Sequence, residues 1–282
     1  MLIIKNAAIY SVGIDGSEVR AEAVAADGGK IVYVGTNEGV KAFESSGANV
    51  IDARGRTVLP GLCDAHVHAS WSGSAKYSCD LFYLENVTGK RTRNVVAHVM
   101  LVQPEDFTRM AENDIIACVQ PTWTAMTKGE YATMRLALGK KRSEQLYPYG
   151  RFLKAGAMVS AGTDFPVMPP PDPFIDMQHA MTRRPCRRFK DYDNSKDFML
   201  APKKTPMQDV VGLADVIKSR TICGAYQSFA EEYAGSIEVG KSADFAILDR
   251  DIFSTPVEDI CETKVMTTVF KGEIVYEREG VH

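Results

Sequence analysis

The 282-residue chain is 45% hydrophobic and 24% charged, a composition typical of globular proteins and not of disordered or fibrous chains. Its 33 Lys and Arg residues against 36 Asp and Glu residues give a net charge of −3, so we expect no basic surface for nucleic acid or an anionic membrane. No stretch approaches the roughly 20 apolar residues of a membrane span.

The opening MLIIKNAAIY lacks a basic leader and a small-residue cleavage site, which favours a cytoplasmic location. The cysteines are scattered with no C-x-x-C spacing, so neither a zinc knuckle nor a disulfide framework is indicated. We therefore expect free thiols at Cys63, Cys79, Cys118, Cys186, Cys223 and Cys261.

Both ends of the chain show the two-residue alternation of half-buried strands. Residues 2–10 and 30–35 alternate in this way, and the last fifty residues return to the pattern, with a hairpin predicted to turn at Lys271-Gly272. We predict one β domain built from residues 1–60 together with 235–282.

Residues 61–234 alternate instead between apolar strand-like runs and helical stretches. The run NVVAHVMLV precedes a helix predicted to begin at Pro104, the run IIACVQP precedes a polar segment, and AMVSAGTDF follows the helical YGRFLKAG. This alternation predicts an α/β fold with a parallel sheet, at whose carboxyl edge βα-barrel enzymes keep their chemistry.

Two further segments of this middle region are predicted to be loops. The run MPPPDP at 168–173 cannot be a helix or a central strand, and it is predicted to cross the carboxyl edge of the sheet. The charged stretch from Arg183 to Thr205 is predicted to be a surface excursion, either a solvated loop or a mobile lid.

The strongest local motif is the pair His66 and His68, which leaves the apolar run TVLPGLCDAHVH. Alternate positions on a strand point to the same side, as two ligands of one metal must. A pair of surface or core histidines is the competing interpretation.

Asp164 closes the apolar run AMVSAGTD, where a carboxylate is costly unless it meets a cation or a hydrogen-bond donor. A metal would supply that partner, whereas a helix N-cap is the structural alternative. His98 ends another apolar run, RNVVAH, and is either a third histidine ligand or a satisfied core residue. His179 and His282 have no such placement and are predicted to be non-catalytic.

Apolar residues near these positions complete the predicted site. Trp123, Phe165 and the prolines near Pro169 are candidates for the walls of an apolar substrate pocket, although aromatic residues after barrel strands also serve as core.

Together these residues resemble the amidohydrolase superfamily, and within it the amidohydrolase family 3 branch. That branch includes N-substituted formamide deformylases and hydrolases of the exoenzyme-regulatory-protein type. The resemblance covers PGLCDAHVH, residues 94–123, AGAMVSAGTDFPVMPPPDPF, and the ending GSIEVGKSADFAILDRDIF followed by VFKGEIVY.

The resemblance implies a TIM-like (β/α) barrel over residues 61–234 and a β-sandwich built from both termini. In the family the H-x-H pair comes from the first barrel strand, another histidine from the sixth and a proton-transferring aspartate from the eighth. By motif position the metal ligands would be His66, His68, His98 and Asp164, with Asp164 also catalytic. One or two divalent ions, zinc being the expected metal, would activate water against carbon–nitrogen bonds of amides, formamides or cyclic amides.

This chain departs from the family between the first and sixth strands. Family members carry strands two to five there, with a metal-bridging carboxylated lysine and a further ligand histidine, whereas only about thirty residues separate His68 from His98. An eight-stranded barrel needs about 250 residues, so the predicted barrel is incomplete. The join would lie near residues 84–89, as a real deletion, a fragment or an omitted middle.

Two functions follow from these observations. The first is a metal-dependent hydrolase of non-peptide carbon–nitrogen bonds that takes a small-molecule substrate. The alternative is a catalytically inactive, shortened relative that acts as a scaffold or interaction protein and forms a homodimer to cover exposed strand edges.

Overall fold

The computed structural model describes residues 1–67, 93–126, 128–165, 167, 172–190 and 209–279. The chain divides into two compact units: unit 1 is Met1–Cys63 with Leu213–His282, and unit 2 is Asp64–Gly212. Unit 1 includes a helical stretch that the sequence analysis assigned to the barrel. The domain boundaries at residues 60 and 235 stay predictions.

The strands in the described part of the chain are β1 (Leu2–Lys5), β2 (Ala8–Val12), β3 (Glu18–Ala21), β4 (Ala23–Asp27), β5 (Lys30–Gly35), β6 (Asn49–Asp52), β7 (Thr57–Pro60), β8 (Val95–Ala97), β9 (Ile116–Val119), β10 (Val159–Ala161), β11 (Phe245–Leu248), β12 (Val265–Phe270) and β13 (Glu273–Glu277). The α-helices are α1 (Asn37–Val40), α2 (Pro104–Glu112), α3 (Lys128–Ser143), α4 (Tyr149–Lys154), α5 (Pro173–Thr182), α6 (Arg187–Lys190), α7 (Leu213–Ser219) and α8 (Ile222–Gln227). Short 3₁₀ helices lie at Lys41–Phe43, Pro121–Thr124 and Val257–Glu262.

Unit 1 contains two mixed sheets. One has four strands in the order β5-β4-β1-β6, and the other has six in the order β13-β12-β11-β7-β2-β3. Strand β1 runs antiparallel to β4 and parallel to β6, while β7 runs parallel to β2 and antiparallel to β11. Strands from both chain ends therefore share the six-stranded sheet.

The two sheets of unit 1 share one hydrophobic core. Leu2 and Ile4 of β1 lie in the same buried cluster as Val58 of β7 and Phe245 of β11. Because successive side chains of a strand alternate between faces, Ile3 points the other way and packs beside α1. Burying each of these large side chains contributes about 1.5–3 kcal/mol.

Local backbone chemistry sets the ends of these strands. Residues 2–10 divide into two strands because Asn6 adopts a left-handed φ of 52°. Lys271 and Gly272 have φ values of 50° and 79°, the two positive angles of a type I′ turn. The hairpin predicted at this dipeptide is confirmed, with β12 and β13 antiparallel on either side.

Unit 2 contains a parallel sheet, with the order β10-β9-β8 among the described residues. Helix α2 connects β8 to β9, and α4 precedes β10. Phe107 of α2 and Phe152 of α4 are buried edge to face with their ring centres 4.8 Å apart. The predicted parallel βα arrangement is confirmed for these strands, which end at the same edge.

The helices agree with the sequence in part. Helix α2 begins at Pro104 as predicted, with Glu105 and Asp106 in its first turn. Helix α3 was predicted only as a polar segment, and it is interrupted at Gly139, where φ is 74° and ψ is 167°. In the described residues no helix is both long and apolar enough to cross a membrane.

Two predictions for the middle region are corrected by the structure. Strand β7 ends at Pro60 and belongs to unit 1, so the strand expected to run on to the histidine pair stops before it. Arg183 is 5% exposed rather than part of a surface excursion, because its guanidinium donates to the carbonyls of Tyr147 and Leu146 at 2.5 and 2.7 Å. Residues 191–205 of that excursion lie outside the described residues.

Candidate metal centre

His66, His98 and Asp164 of unit 2 form a compact cluster of potential metal ligands. Their nearest ligand atoms all lie within 4.8 Å of one another. Asp164 Oδ1 is 3.3 Å from His66 Nε2 and 4.0 Å from His98 Nε2, and the two imidazole ring centres are 4.9 Å apart. The structure therefore brings together three of the four predicted ligands, and His68 lies outside the described residues.

Two strands of the same parallel sheet, separated by β9, deliver two of these side chains. His98 directly follows β8, and Asp164 lies three residues after the end of β10. Both have left-handed backbones, with φ of 68° and 60°, a conformation that costs a residue with a side chain about 1 kcal/mol or more. Such strain next to a cluster of ligand atoms is typical of functional sites.

His66 reaches the cluster without lying on a strand. The backbone N–H of Ala65 donates to the carbonyl of Ala161 at 3.2 Å, and the N–H of Asp164 donates to the carbonyl of His66 at 2.9 Å. These two bonds hold the His66 segment beside the end of β10. They replace the strand that the sequence analysis predicted here.

The side chain of Asp64 links the His66 segment to the residues that follow β10. Its Oδ1 accepts hydrogen bonds from the backbone N–H of Thr163 at 2.9 Å and of His66 at 3.3 Å, while its Oδ2 accepts from the Thr163 hydroxyl at 2.5 Å. Hydrogen bonds to a charged acceptor are stronger than neutral ones. The carboxylate therefore supports the positions of both His66 and Asp164.

Gly162 allows the close approach on which this arrangement depends. A Cβ atom at this position would lie 2.4 Å from the backbone nitrogen of His66 and 2.6 Å from its Cβ. Real Cβ atoms do not approach backbone atoms so closely. Glycine is required here by space, which the sequence did not reveal.

Trp123 adds a contact that the sequence analysis missed. It lies in the 3₁₀ helix that follows β9, and its indole Nε1–H donates to Asp164 Oδ2 at 3.3 Å. The sequence predicted Trp123 as an apolar pocket wall. The only sequence signal for this contact is a tryptophan placed shortly after the end of an apolar run. In the sheet, that run forms β9, which lies between the strands that carry His98 and Asp164.

The cluster offers ligand atoms of the types that divalent metals take. Two imidazole nitrogens and one carboxylate oxygen are ligand types that zinc takes, and zinc–ligand distances near 2.1 Å place tetrahedral ligand atoms about 3.4 Å apart. The His66–Asp164 separation of 3.3 Å already matches this spacing. Asp164 is 2% exposed, so its charge needs partners that a cation would provide.

The remaining predicted residues lie apart from the cluster or outside the described residues. His179 is fully buried in α5, where burial lowers its pKa to about 3 and its Nε2 accepts a hydrogen bond from the backbone N–H of Cys186. It is thus neutral and structural. Phe165 follows Asp164 and is 37% exposed, while Pro169 and His282 lie outside the described residues.

Comparisons with known proteins relate much of this chain to one family. A family model described as "Amidohydrolase family" matches residues 80–276, well over half of the chain. The chain is 41% identical over 66 residues to the exoenzymes regulatory protein AepA of Pectobacterium carotovorum subsp. carotovorum, which is 23% of this chain and 14% of that protein.

Two other curated relatives match over longer stretches. Identity is 25% over 183 residues with the putative amidohydrolase YtcJ of Bacillus subtilis, covering 64% of this chain and 31% of that protein. Identity is 40% over 79 residues with an N-substituted formamide deformylase of Arthrobacter pascens, covering 28% of this chain and 14% of that protein. The chain therefore spans less than a third of the length of these relatives.

Solved structures show the same fold at low identity. An amidohydrolase from Thermotoga maritima superposes with a TM-score of 0.60 and 15% identity, over 99% of this chain and 100% of that one. This likeness supports a mixed α/β architecture for the chain.

Proposed function

Because the chain belongs to the amidohydrolase family, we propose that it is a metal-dependent hydrolase of carbon–nitrogen bonds other than peptide bonds, such as those of amides, formamides and cyclic amides. The observation that carries this proposal is the meeting of His66, His98 and Asp164 at the carboxyl edge of a parallel sheet. The name of the deformylase relative supports the bond class, since a formyl group is removed from nitrogen.

The described strands β8, β9 and β10 are proposed to be part of the family's (β/α) barrel, with the sheets of unit 1 as its accompanying β-sandwich. In this reading the site lies where barrel enzymes keep their chemistry, at the carboxyl ends of the strands. The left-handed turns at His98 and Asp164 aim both side chains at one point.

We propose that His66, His98 and Asp164 hold one divalent cation, with His68 as a further ligand. The near-tetrahedral spacing of His66 and Asp164, and the approach of both histidines to the same carboxylate oxygen, favour a single shared ion over two. A second ion would lack the bridging lysine of the family and should bind weakly. Zinc suits this set of nitrogen and oxygen ligands.

A bound zinc ion would supply Lewis acidity, which makes a water acidic near neutral pH and polarises the carbonyl to be attacked. Asp164 would accept the proton of the attacking water and deliver it to the leaving nitrogen, a general acid–base role. Its burial keeps bulk water from competing for that proton, and its contacts with Trp123 and the histidines fix its direction.

Metal content is the measurement that tests this proposal. Purified protein should hold about one zinc per chain by elemental analysis, and His66→Ala or His68→Ala should lose it. His282→Ala is the matched control, since it removes a histidine that we do not place in the site, and it should retain zinc. The parent should then hydrolyse at least one of a panel of formamides, N-acyl amino acids and cyclic amides, and the two zinc-free variants should not.

The second candidate function is a catalytically inactive scaffold. It is favoured by the short interval of about thirty residues between His68 and His98, and by the exposure of Val95 and Val96 on β8, which are 40% and 46% exposed. For this function we propose a homodimer in which the partner covers exposed strands such as β8. Sub-stoichiometric zinc that the histidine substitutions do not change, in a protein that sediments as a dimer, would favour it over the hydrolase.

A further inference from the structure

We propose that Trp123 is a positioning residue that fixes the Asp164 carboxylate, so that Oδ1 faces the two histidines and the cation between them. This inference rests on the proposed metal centre and assigns a role to a residue outside the ligand set. The indole N–H of Trp123 donates a hydrogen bond to Asp164 Oδ2 at 3.3 Å. The other oxygen, Oδ1, lies 3.3 Å from His66 Nε2 and 4.0 Å from His98 Nε2. The two oxygens of one carboxylate thus have separate tasks.

The chemistry of the donor suits this task. An indole N–H donates but does not accept, and it neither takes up a proton nor binds zinc. It therefore holds Oδ2 without neutralising the negative charge that Oδ1 would offer to a cation. An arginine or lysine in the same place would pair with the carboxylate and repel the cation.

The fold holds Trp123 firmly enough to direct another side chain. Its neighbours Thr122 and Thr124 are 7% and 3% exposed, and both are tied to α5. The Thr122 hydroxyl donates to Asp176, and the Thr124 hydroxyl donates to the carbonyl of His179 at 3.0 Å. Hydrogen bonds to α5 therefore hold the 3₁₀ turn in place on both sides of Trp123.

The strand order of the sheet also explains why the indole is supplied by a residue that follows β9. The sheet order β10-β9-β8 places the end of β9 between the ends that carry Asp164 and His98. A donor from the middle strand reaches the far oxygen of Asp164, and the near oxygen stays directed at the histidines. Without it, the terminal torsion of the aspartate side chain is broad, and the carboxylate would sample other orientations.

The first test measures zinc affinity of the full chain and of Trp123→Phe by competition with a chromophoric chelator. Phenylalanine keeps an aromatic ring and removes the N–H. We expect the variant to bind zinc ten- to one-hundred-fold more weakly at an unchanged melting temperature of the metal-free protein, the range found when an outer partner of a metal ligand is removed. Equal affinity of parent and variant would overturn the positioning role while leaving the metal centre intact.

The second test needs neither metal nor a Trp123 variant that folds. In ¹⁵N-tryptophan-labelled protein, the indole N–H signal that persists in Trp71→Phe belongs to Trp123. Its proton should exchange slowly with solvent, and Asp164→Asn should move the signal, because the carboxylate acceptor is replaced by an amide. A Trp123 signal that Asp164→Asn leaves unmoved would overturn the inference, whatever the affinities show.

The two proposals fail in different ways. A parent protein that binds no zinc would overturn the metal centre and, with it, this inference. A parent that binds zinc, together with a Trp123→Phe variant that binds it equally well, would overturn only the role of Trp123.

Discussion

At the residue scale, the proposed centre depends on a glycine where no side chain has room. A methyl group on Gly162 would lie 2.4 Å from the His66 backbone nitrogen, so the His66 segment must move in Gly162→Ala. We expect the substitution to destabilise unit 2 by about 1–3 kcal/mol, as overpacking does, and to weaken zinc binding at least tenfold. Chemical unfolding and zinc competition measure the two effects.

Gly47→Ala is the matched control for this change. A Cβ at Gly47 meets nothing within 4 Å, and its backbone is not left-handed. Stability and zinc affinity should therefore stay at parental values. An equal loss of zinc affinity in both alanine variants would contradict the steric explanation.

The buried His179 predicts a specific dependence of stability on pH. Burial lowers its pKa from 6.5 to about 3 in the folded protein, so below pH 6.5 the unfolded chain takes up a proton that the folded chain does not. The free energy of unfolding should therefore fall by about 1.4 kcal/mol per pH unit between pH 6.5 and about 3, and this residue should add no slope above 6.5.

Replacing His179 isolates its contribution. His179→Gln keeps a hydrogen-bond acceptor for the backbone N–H of Cys186 but does not titrate. Urea unfolding at pH 6.5, 5.5 and 4.5, with a chelator present to remove metal effects, gives the free energy of unfolding at each pH. Its slope against pH should be smaller in the variant by about 1.4 kcal/mol per pH unit, which corresponds to one proton. Identical slopes in both proteins would show that another group causes the acid sensitivity.

The residues of the site differ in how far the sequence could reveal them. Asp164 and His98 each end an apolar run, which made both of them candidate ligands but left an N-cap or a core role open. The resemblance to the family then selected the ligand role for both. The roles of Trp123 and Gly162 depend on contacts with residues 41 and 96 positions away, which no local pattern encodes.

At the element scale, helix α5 supports the turn that carries Trp123, and the residue just before the helix stabilises it. Asp172 is the N-cap: its side chain accepts from the backbone N–H groups of Phe174 and Ile175 at 3.0 and 3.4 Å. Asp172→Ala should cost about 1 kcal/mol of stability through the loss of this cap. Thermal unfolding of the metal-free protein measures the loss.

Asp172 also pairs with Arg188 at 2.5 Å, so the cap and the ion pair must be separated. Asp172→Asn keeps the capping oxygen and removes the charge, while Arg188→Ala removes the ion pair and keeps the cap. If the cap dominates, both of these variants should be more stable than Asp172→Ala. A loss in Arg188→Ala as large as in Asp172→Ala would instead assign the stability to the ion pair.

The elements themselves were predictable where local chemistry decides them. The hairpin at Lys271-Gly272 and the start of α2 at Pro104 follow from backbone preferences of the residues at those positions. Helix α3 was missed because many of its side chains are exposed and glycines interrupt its pattern. The end of β7 at Pro60 was missed because pairing with β11 and β2 of unit 1, rather than the sequence run, sets that strand's extent.

At the scale of the whole molecule, the proposed ligands all fall in one of the two compact units. His66, His98 and Asp164 lie within Asp64–Gly212, whereas the larger sheets lie in unit 1. A ligand that binds only the folded form stabilises what it binds, by about 2.7 kcal/mol at a hundred times its dissociation constant. Zinc should therefore protect the two units unequally.

Hydrogen exchange read by mass spectrometry checks this prediction. With zinc at a hundred times its dissociation constant, amides of β9 and β10 that exchange through unfolding of unit 2 should slow by about a hundredfold. Amides of β1, β4 and β11 should exchange at unchanged rates, and the His66→Ala variant should show no response in either unit. Equal slowing in both units would mean that they unfold together, and slowing confined to unit 1 would place the zinc away from His66, His98 and Asp164.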